Sequence, residues 1–416
     1  MELVENAPAV PIALTPSQAA SIEETSVHWQ KKLRLRDDPI RLSIGANGSH
    51  LIQARGVAGF IRVGDTTLEI APKFINKDTA GPGWRAAMWR FLAYGRGIQA
   101  LSDAAGSTSK EDGIADVLAD IFMASLRGAA TRGYPVGYRT SKITAPFLRG
   151  RLDPKEFSRL LPPTGKLRLL APTLTTDIPT NRLLKWAGAK LAATVENPQR
   201  RQQLVNWLNE LPGVSTLPPS GPTVPLPRRH HPHLVHAVEI AKLLLDDWEA
   251  GYQSGELLLP GFLWDSENLF ERAAQRLARE ASHSLGLSVV KIAYPLAELE
   301  SSGAGARLDT TPDITIQVGT SPLLLLDAKY KSLGNHPKNS DVYQVLAGGR
   351  AAGVDVVALI YPGNDGSVTA RSYLPLGGGH PRSVSTLKIG LNSFSSRAGL
   401  AALRTELASW IQSHAI

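Results

Sequence analysis

The stretch PDITIQVGTSPLLLLDAKYK, Pro312 to Lys331, limits what this chain can fold into more than any other segment. Ile314 to Val318 and Leu323 to Leu326 are short apolar runs, partly β-branched, separated by Gly319, Thr320 and Ser321. That pattern predicts a strand, a tight turn and a second strand. If the hairpin folds about Thr320, Asp313 lies opposite Asp327. Directly opposed side chains share a sheet face at about 5 Å. Lys329, two positions beyond Asp327, emerges on that face as well. Two carboxylates so close repel, and a bound divalent cation is the usual remedy. The Asp, Asp, Lys pattern is therefore that of metal-dependent phosphodiester cleavage. The same letters also fit a buried strand whose charged end reaches water, so the rest of the chain has to decide.

At 416 residues the chain is long enough for two or three domains with a substantial core. Hydrophobic residues make up 43% and charged ones 20%, as in an ordinary globular protein. A net charge of +8 and a pI near 9.6 favour a polyanionic partner such as DNA, and fit a solvated basic surface equally. The absence of cysteine excludes disulfides and thiolate zinc sites. The N-terminus carries Glu2 and Glu5 where a secretion signal wants Lys or Arg, and no apolar run approaches membrane-spanning length. A cytoplasmic protein without a membrane partner is expected.

The first part, to about Phe74, reads as β-rich: Arg41 to Ile44, Leu51 to Ala54, Phe60 to Val63 and Thr66 to Ile70 are strand candidates punctuated by glycine. Trp84 to Tyr94 and Ile114 to Thr131 read as helices. Leu167 to Leu174 is another strand candidate, and Asn181 to Leu211 a helix pair split near Asn197-Pro198. Leu211 to Pro232 is so proline-rich that an extended connector is expected. Helices follow over His233 to Gly251 and Ser266 to Leu285, with Ser266 as N-cap. Then come a strand (Leu287 to Pro295), the hairpin, a helix (Val342 to Ala352), a strand (Val354 to Tyr361) and a last helix (about Ser396 to Ser413). Helix, three strands, helix, strand is the order of the common core of the PD-(D/E)XK nucleases.

The expected fold class is thus α/β. Residues 1–165 form an N-terminal β-rich and helical region, 166–232 a helical segment with the connector, and 233–416 a mixed sheet flanked by helices.

Other residues could carry chemistry. Glu271, in LFERAAQRLARE, lies on the helix before the first strand of this core, where nucleases of this class place an acidic side chain near the metal. It fits a solvated Glu in the N-terminal half of a helix as well. Gln344, in SDVYQVLAGGR, falls on the helix after the hairpin, facing the active site or simply as a polar helix residue. The cluster RRHHPHLVH (Arg228 to His236) lacks the carboxylate or cysteine that completes a metal site. Lys31, Lys32, Arg34 and Arg36 form a basic run on a helix end or strand. No G-x-x-x-x-G-K-[ST] occurs, so the chain shows no NTP-driven motor, and no G-x-S-x-G elbow occurs either.

Together these segments resemble the McrC subunit family of modified-cytosine-dependent (McrBC-type) restriction systems. The likeness includes GVAGFIRVGDTTLEIAPKF (Gly56 to Phe74), RGYPVGYR (Arg132 to Arg139), LRGRLD (Leu148 to Asp153) and DIPTNRLLKWA (Asp177 to Ala187). It continues through LFE, PDI, LDAKYK and the Tyr343-Gln344 pair. The Gly348-Gly349 pair departs from it, because the family tends to have an aromatic there.

The resemblance implies a Mg2+-dependent DNA endonuclease subunit. A separate McrB-like AAA+ GTPase hexamer would recognise and translocate modified double-stranded DNA, and the N-terminal part of this chain would dock on it and stimulate GTP hydrolysis. Asp313, Asp327 and the carbonyl of Ala328 are the expected metal ligands, with Glu271 in the metal shell or on a second ion. Lys329 orients the attacking water or offsets transition-state charge, and Gln344 completes the site. Two other readings remain: a non-catalytic DNA-binding activator of the GTPase, and a stand-alone repair nuclease.

Overall fold

The computed structural model describes residues 1–415 apart from 47, 99–111, 153–165, 218–230, 254–255, 299–306, 364–367 and 377–378. Most of the proline-rich connector, the start of the histidine cluster (228–230) and Asp153 therefore lie outside the described residues. No helix among the described residues is long and apolar enough to cross a membrane.

The chain is a mixed α/β protein of two compact units, one made of Met1–Val117 with Asp247–Ile416, the other of Leu118–Asp246. The units thus part at different places from the 165 and 232 boundaries expected from the sequence. The physical reason is strand pairing. Glu256–Asp265 lies antiparallel to Val57–Val63, so the N-terminal sheet is completed by chain from beyond the second unit. Its five strands run in the order Glu2–Val4, Thr66–Ala71, Val57–Val63, Glu256–Asp265, Trp248–Gln253. The capped helix Pro16–Leu33 and a three-stranded sheet close a core around Ile22, Trp29, Ile52, Ile61 and Leu263. Lys31 and Lys32 sit in that helix's last turn and Arg34 ends it in the left-handed conformation, so the basic run is a helix terminus.

Beyond this sheet, helix Ser266–His283 starts at an N-cap supplied by Asp265, not Ser266, whose carboxylate accepts the amides of Glu267 and Asn268. It leads into a six-stranded sheet in the order Ser288–Val290, Ile314–Val318, Ser321–Ala328, Val356–Gly363, Ser383–Gly390, Val368–Tyr373. Ser321–Ala328 and Val356–Gly363 are parallel, joined through helix Asn339–Ala352, and their continuous apolar runs are buried as central parallel strands require.

The hairpin register can be followed pair by pair. A two-residue turn, with Gly319 at φ +59, pairs Val318 with Ser321 and Gln317 with Pro322. A bulge then leaves Leu323 as an extra residue, and Ile316 pairs with Leu324 and Ile314 with Leu326. Continued one step, this register sets Asp313 against Asp327.

Of the Gly348-Gly349 pair, Gly349 has a packing reason, while a Cβ on Gly348 would stand in ordinary contact, 3.4 Å from Pro312 Cγ and 3.6 Å from Leu325 Cδ1. A Cβ on Gly349 would stand 2.5 Å from Val357 Cγ1 and 3.0 Å from Pro381 Cγ, so the helix lies too close to the sheet for any side chain there.

In the second unit, helices Pro179–Thr194 and Pro198–Asn209 part at Asn197, which caps the second. A three-stranded ribbon of Gly137–Ala145, Leu167–Thr175 and Arg151–Leu152 adjoins them. The RGYPVGYR and DIPTNRLLKWA segments meet here. Asp177 takes Arg139 at 2.8 Å and Arg182 at 2.6 Å; the Arg182 bond, joined by the Ser215 amide and hydroxyl, holds its carboxyl well below the usual range, and Asn181 donates to the Pro135 carbonyl. Arg139, Asp177, Asn181 and Arg182 of these motifs thus hold the unit together.

Within the first unit, one buried contact joins the N-terminal sheet to the six-stranded sheet. Glu5, 1% exposed, accepts the Tyr330 hydroxyl at 2.9 Å, and Lys73 Nζ donates to the Tyr330 carbonyl at 2.7 Å. Burial pushes the Glu5 carboxyl from 4.5 to about 7, against the pull of Lys73. The folded chain therefore holds this proton more tightly than the unfolded chain. Stability falls as pH rises from about 4.5 to about 7 and carries the full penalty above that, on the order of 3 kcal/mol. Glu5→Gln should flatten this part of the stability profile and exceed the parent at pH 8; urea titrations in which the midpoints of parent and variant differ by the same amount at every pH from 4 to 8 would refute the burial argument.

Candidate active site

The open end of the hairpin brings together the residues singled out in the sequence. Asp313 precedes strand Ile314–Val318, and Asp327 is the next-to-last residue of Ser321–Ala328. Because side chains alternate along a strand, Leu325, Asp327 and Lys329 share one face. Leu325 packs there with Val345 of helix Asn339–Ala352. Gln344 comes from the same helix, and Lys329 Nζ donates to its Oε1 at 2.9 Å. Lys329 Nζ also stands 2.5 Å from Asp327 Oδ2.

The two aspartates are held differently. Asp313 Oδ2 accepts the Ala328 amide at 2.9 Å, which ties the two strand ends together. Asp327 is 3% exposed, and its Oδ2 has the ion contact with Lys329 but no hydrogen bond of good geometry. Burial pushes the Asp327 carboxyl up; Lys329 pulls it down, while the charges of Asp313 and Asp341 push it further up.

Glu271 enters from helix Ser266–His283 and joins Asp313 through two intermediaries. Gln275 Nε2 donates to Glu271 Oε1 at 2.9 Å and to the Asp313 carbonyl at 3.1 Å. Lys291 Nζ lies between the carboxylates, 2.5 Å from Glu271 Oε1 and 3.2 Å from Asp313 Oδ1. Partial burial lowers the Lys291 pKa, but Glu271 and Asp313 outweigh it and hold the ammonium above its usual range. Lys291 and Gln275 are the members that sequence reasoning missed. A signal for Lys291 was present: a cation directly after the apolar strand Ser288–Val290, as Lys329 directly follows Ser321–Ala328.

Among the described residues no three His, Cys, Asp or Glu side chains cluster closely enough to enclose an ion. Instead Asp313 and Asp327 offer two carboxylates, one of them with a buried oxygen that lacks a hydrogen bond. That donor set fits Mg2+, which keeps several waters and takes one or two carboxylates plus substrate phosphate oxygens. It suits a caged metal less well. The histidines lie elsewhere: His233 Nε2 contacts the Gly133 carbonyl at 3.1 Å, and His236 stands 3.7 Å from Glu239.

Beside this geometry, the sequence profile described as "McrBC 5-methylcytosine restriction system component" matches residues 52–362. Among solved structures, a chain of the Thermococcus gammatolerans assembly of McrB AAA+ hexamers with bound McrC shares the fold. The TM-score is 0.68 at 18% identity, over 99% of each chain. The cryo-EM structure of the Thermococcus gammatolerans McrBC complex gives a TM-score of 0.49 at 19% identity, covering 67% of this chain and 87% of that one. No curated protein matches.

The charge balance at Asp327 is open to measurement. Its raised pKa means that ionisation costs stability above the unfolded carboxylate range. Asp327→Asn should therefore raise the melting temperature of the metal-free protein at pH 7.5, and the gain should shrink toward pH 4. A lower melting temperature at neutral pH would show that the Lys329 contact outweighs burial and the Asp313 charge.

Proposed function

From the chain's membership of the family of McrBC 5-methylcytosine restriction system components, as an McrC-type member, we propose that it is the Mg2+-dependent DNA endonuclease subunit of such a system. The six-stranded sheet with helices Ser266–His283 and Asn339–Ala352 is read as a PD-(D/E)XK nuclease domain. The observation that carries this reading is the convergence of Asp313, Asp327 and Lys329 at one strand end, with Asp327 Oδ2 buried.

Asp313 and Asp327 would hold the ion, with the Ala328 carbonyl as a further donor and Glu271 on the far side of Asp313. An ion held there would supply Lewis-acid polarisation of the scissile phosphate and a more acidic attacking water. Lys329 places its ammonium beside Asp327, where it can orient that water or offset charge developing on the phosphate. Gln344 fixes the Lys329 side chain from the neighbouring helix. Lys291 neutralises Glu271 and Asp313, which lowers the repulsion that an approaching DNA phosphate meets. The net charge of +8 favours the same polyanion.

The motor and the recognition of modified double-stranded DNA belong, in this reading, to an AAA+ GTPase hexamer. The solved assembly with McrB AAA+ hexamers supports that partner, and this chain would stimulate its GTP hydrolysis. A docking surface is available on the ribbon of the second unit, where the opposed residues Tyr138 and Leu174 are 79% and 60% exposed. The protein is expected to act in the cytoplasm.

Asp327→Ala and Lys329→Ala should each lower cleavage of modified DNA by about 10²-fold or more, with partner and GTP supplied. Both variants should still fold and co-elute with the GTPase. Cleavage at the parent rate by both would sink the site assignment, and cleavage by the isolated chain without any GTPase would sink the two-part reading. Replacing Tyr138 and Leu174 together by Ser should abolish co-elution while melting stays within a few degrees of the parent; undiminished co-elution would move the docking surface elsewhere.

A further inference from the structure

The Pro72-Lys73-Phe74 end of the N-terminal segment has no part in the chemistry described above, yet it touches the residue next to Lys329. Lys73 Nζ donates to the Tyr330 carbonyl at 2.7 Å and lies 4.4 Å from the centroid of the Tyr330 ring. The ring is enclosed by Phe74 and Phe270, with centroids 5.2 and 5.6 Å away. Its hydroxyl donates to Glu5 Oε2, which also accepts the Lys73 backbone amide at 3.2 Å. Tyr330 is thus gripped at its carbonyl, its ring face and its hydroxyl, all from the N-terminal sheet and the helix carrying Glu271.

The residues around it are tied to the other side of the site. The Lys329 amide donates to the Ile360 carbonyl at 2.8 Å, and Lys331 Nζ reaches Asp341 at 2.7 Å. Lys329 therefore stands in a short span of chain fixed at both ends, one end by the central strand and the other by Lys73 and Glu5. Its side chain has four carbon links between backbone and charge, so the ammonium stays beside Asp327 only if the backbone under it is held. The half-buried Lys73 ammonium does here what an apolar residue could not, because it satisfies a carbonyl that otherwise loses water without a partner.

We propose that Lys73 and Tyr330 are positioning residues for Lys329, through which the N-terminal sheet sets the alignment of the catalytic strand end. The proposal rests on the nuclease reading of Lys329, and its test separates the two. The variants are Lys73→Met, which keeps the apolar stem and removes the ammonium, and Tyr330→Phe, which removes only the hydroxyl. Lys73→Arg serves as the rescue variant, because a guanidinium can still reach the carbonyl.

Each full-length variant is measured for DNA cleavage with partner, GTP and Mg2+, for DNA affinity, and for melting temperature. The rate at which N-hydroxysuccinimide acetate acetylates Lys329 is followed by mass spectrometry. Lys73→Met should lower kcat at least tenfold with DNA affinity within twofold of the parent. It should also speed Lys329 acetylation severalfold, and Lys73→Arg should restore both. Tyr330→Phe should shift both in the same direction by less.

Parent-like kcat and acetylation in Lys73→Met would overturn the proposal. So would a loss of activity that only follows loss of folded protein, with Lys329 acetylated at the parent rate. A parent chain that never cleaves would overturn the nuclease reading instead, while the acetylation rates still decide whether Lys73 and Tyr330 hold Lys329.

Discussion

Everything at the candidate site follows from one electrostatic constraint: two carboxylates set against each other at the open end of a hairpin. Side chains opposed across a ladder approach to about 5 Å, where two like charges repel by on the order of 3 kcal/mol at an effective dielectric constant of 20. The fold answers with three neutralising groups: the Ala328 amide on Asp313, the Lys291 ammonium on the outer side of Asp313, and the Lys329 ammonium on Asp327. Each comes from a residue directly at or after a strand end, where the backbone leaves the ladder and its side chains can turn inward. The balance is incomplete at Asp327, whose carboxyl stays raised despite Lys329.

How much of this could be read in the letters depends on the range of the interaction that decides each feature. The hairpin was legible because its signals are local: β-branched runs, a turn glycine and a two-residue periodicity. A turn centred on Thr320 implied that Asp313 faces Asp327, and that is the register at the open end. Near the turn the pairing is one residue different, and the bulge at Leu323 reconciles the two. Lys329 could be set on the face of Asp327 from strand periodicity, whereas Glu271 and Gln344 were singled out by the order of helices and strands around the hairpin. Lys291 was missed because its role depends on how an edge strand, a helix and a hairpin meet, which no local pattern encodes. The boundaries expected at 165 and 232 rest on local composition, whereas the compact units part at Val117 and Asp247. Pairing between Val57–Val63 and Glu256–Asp265 leaves no trace in either segment by itself.

Gly349, of the Gly348-Gly349 pair, shows the reverse case, a local anomaly with a long-range cause. As sequence the pair looks like a helix weakened by two flexible residues and lacking an aromatic. In the fold Gly349 lets helix Asn339–Ala352 lie directly on Val357 and Pro381. That close approach brings Gln344 within hydrogen-bond reach of Lys329 and Asp341 within reach of Lys331 and Tyr361. The helix gives up intrinsic propensity, about 1 kcal/mol per glycine, and gains three polar links, of which the Tyr361–Asp341 bond is buried.

The order of the chain adds a consequence for assembly. The second unit is one continuous segment, whereas the first cannot be completed until Glu256–Asp265 is available to pair with Val57–Val63. Lys73 then waits 257 positions for Tyr330. Contacts of such separation form late, since the closure entropy of the intervening chain has to be met before they stabilise anything. Until they form, Glu5 and Lys73 remain hydrated, and the strand end that carries Lys329 has no support on its N-terminal side. A chain built this way has Tyr330 held from both sides only when the whole of its first unit is folded, so a truncated or half-folded copy would keep Asp313, Asp327 and Lys329 without the contacts that fix the strand end beside them.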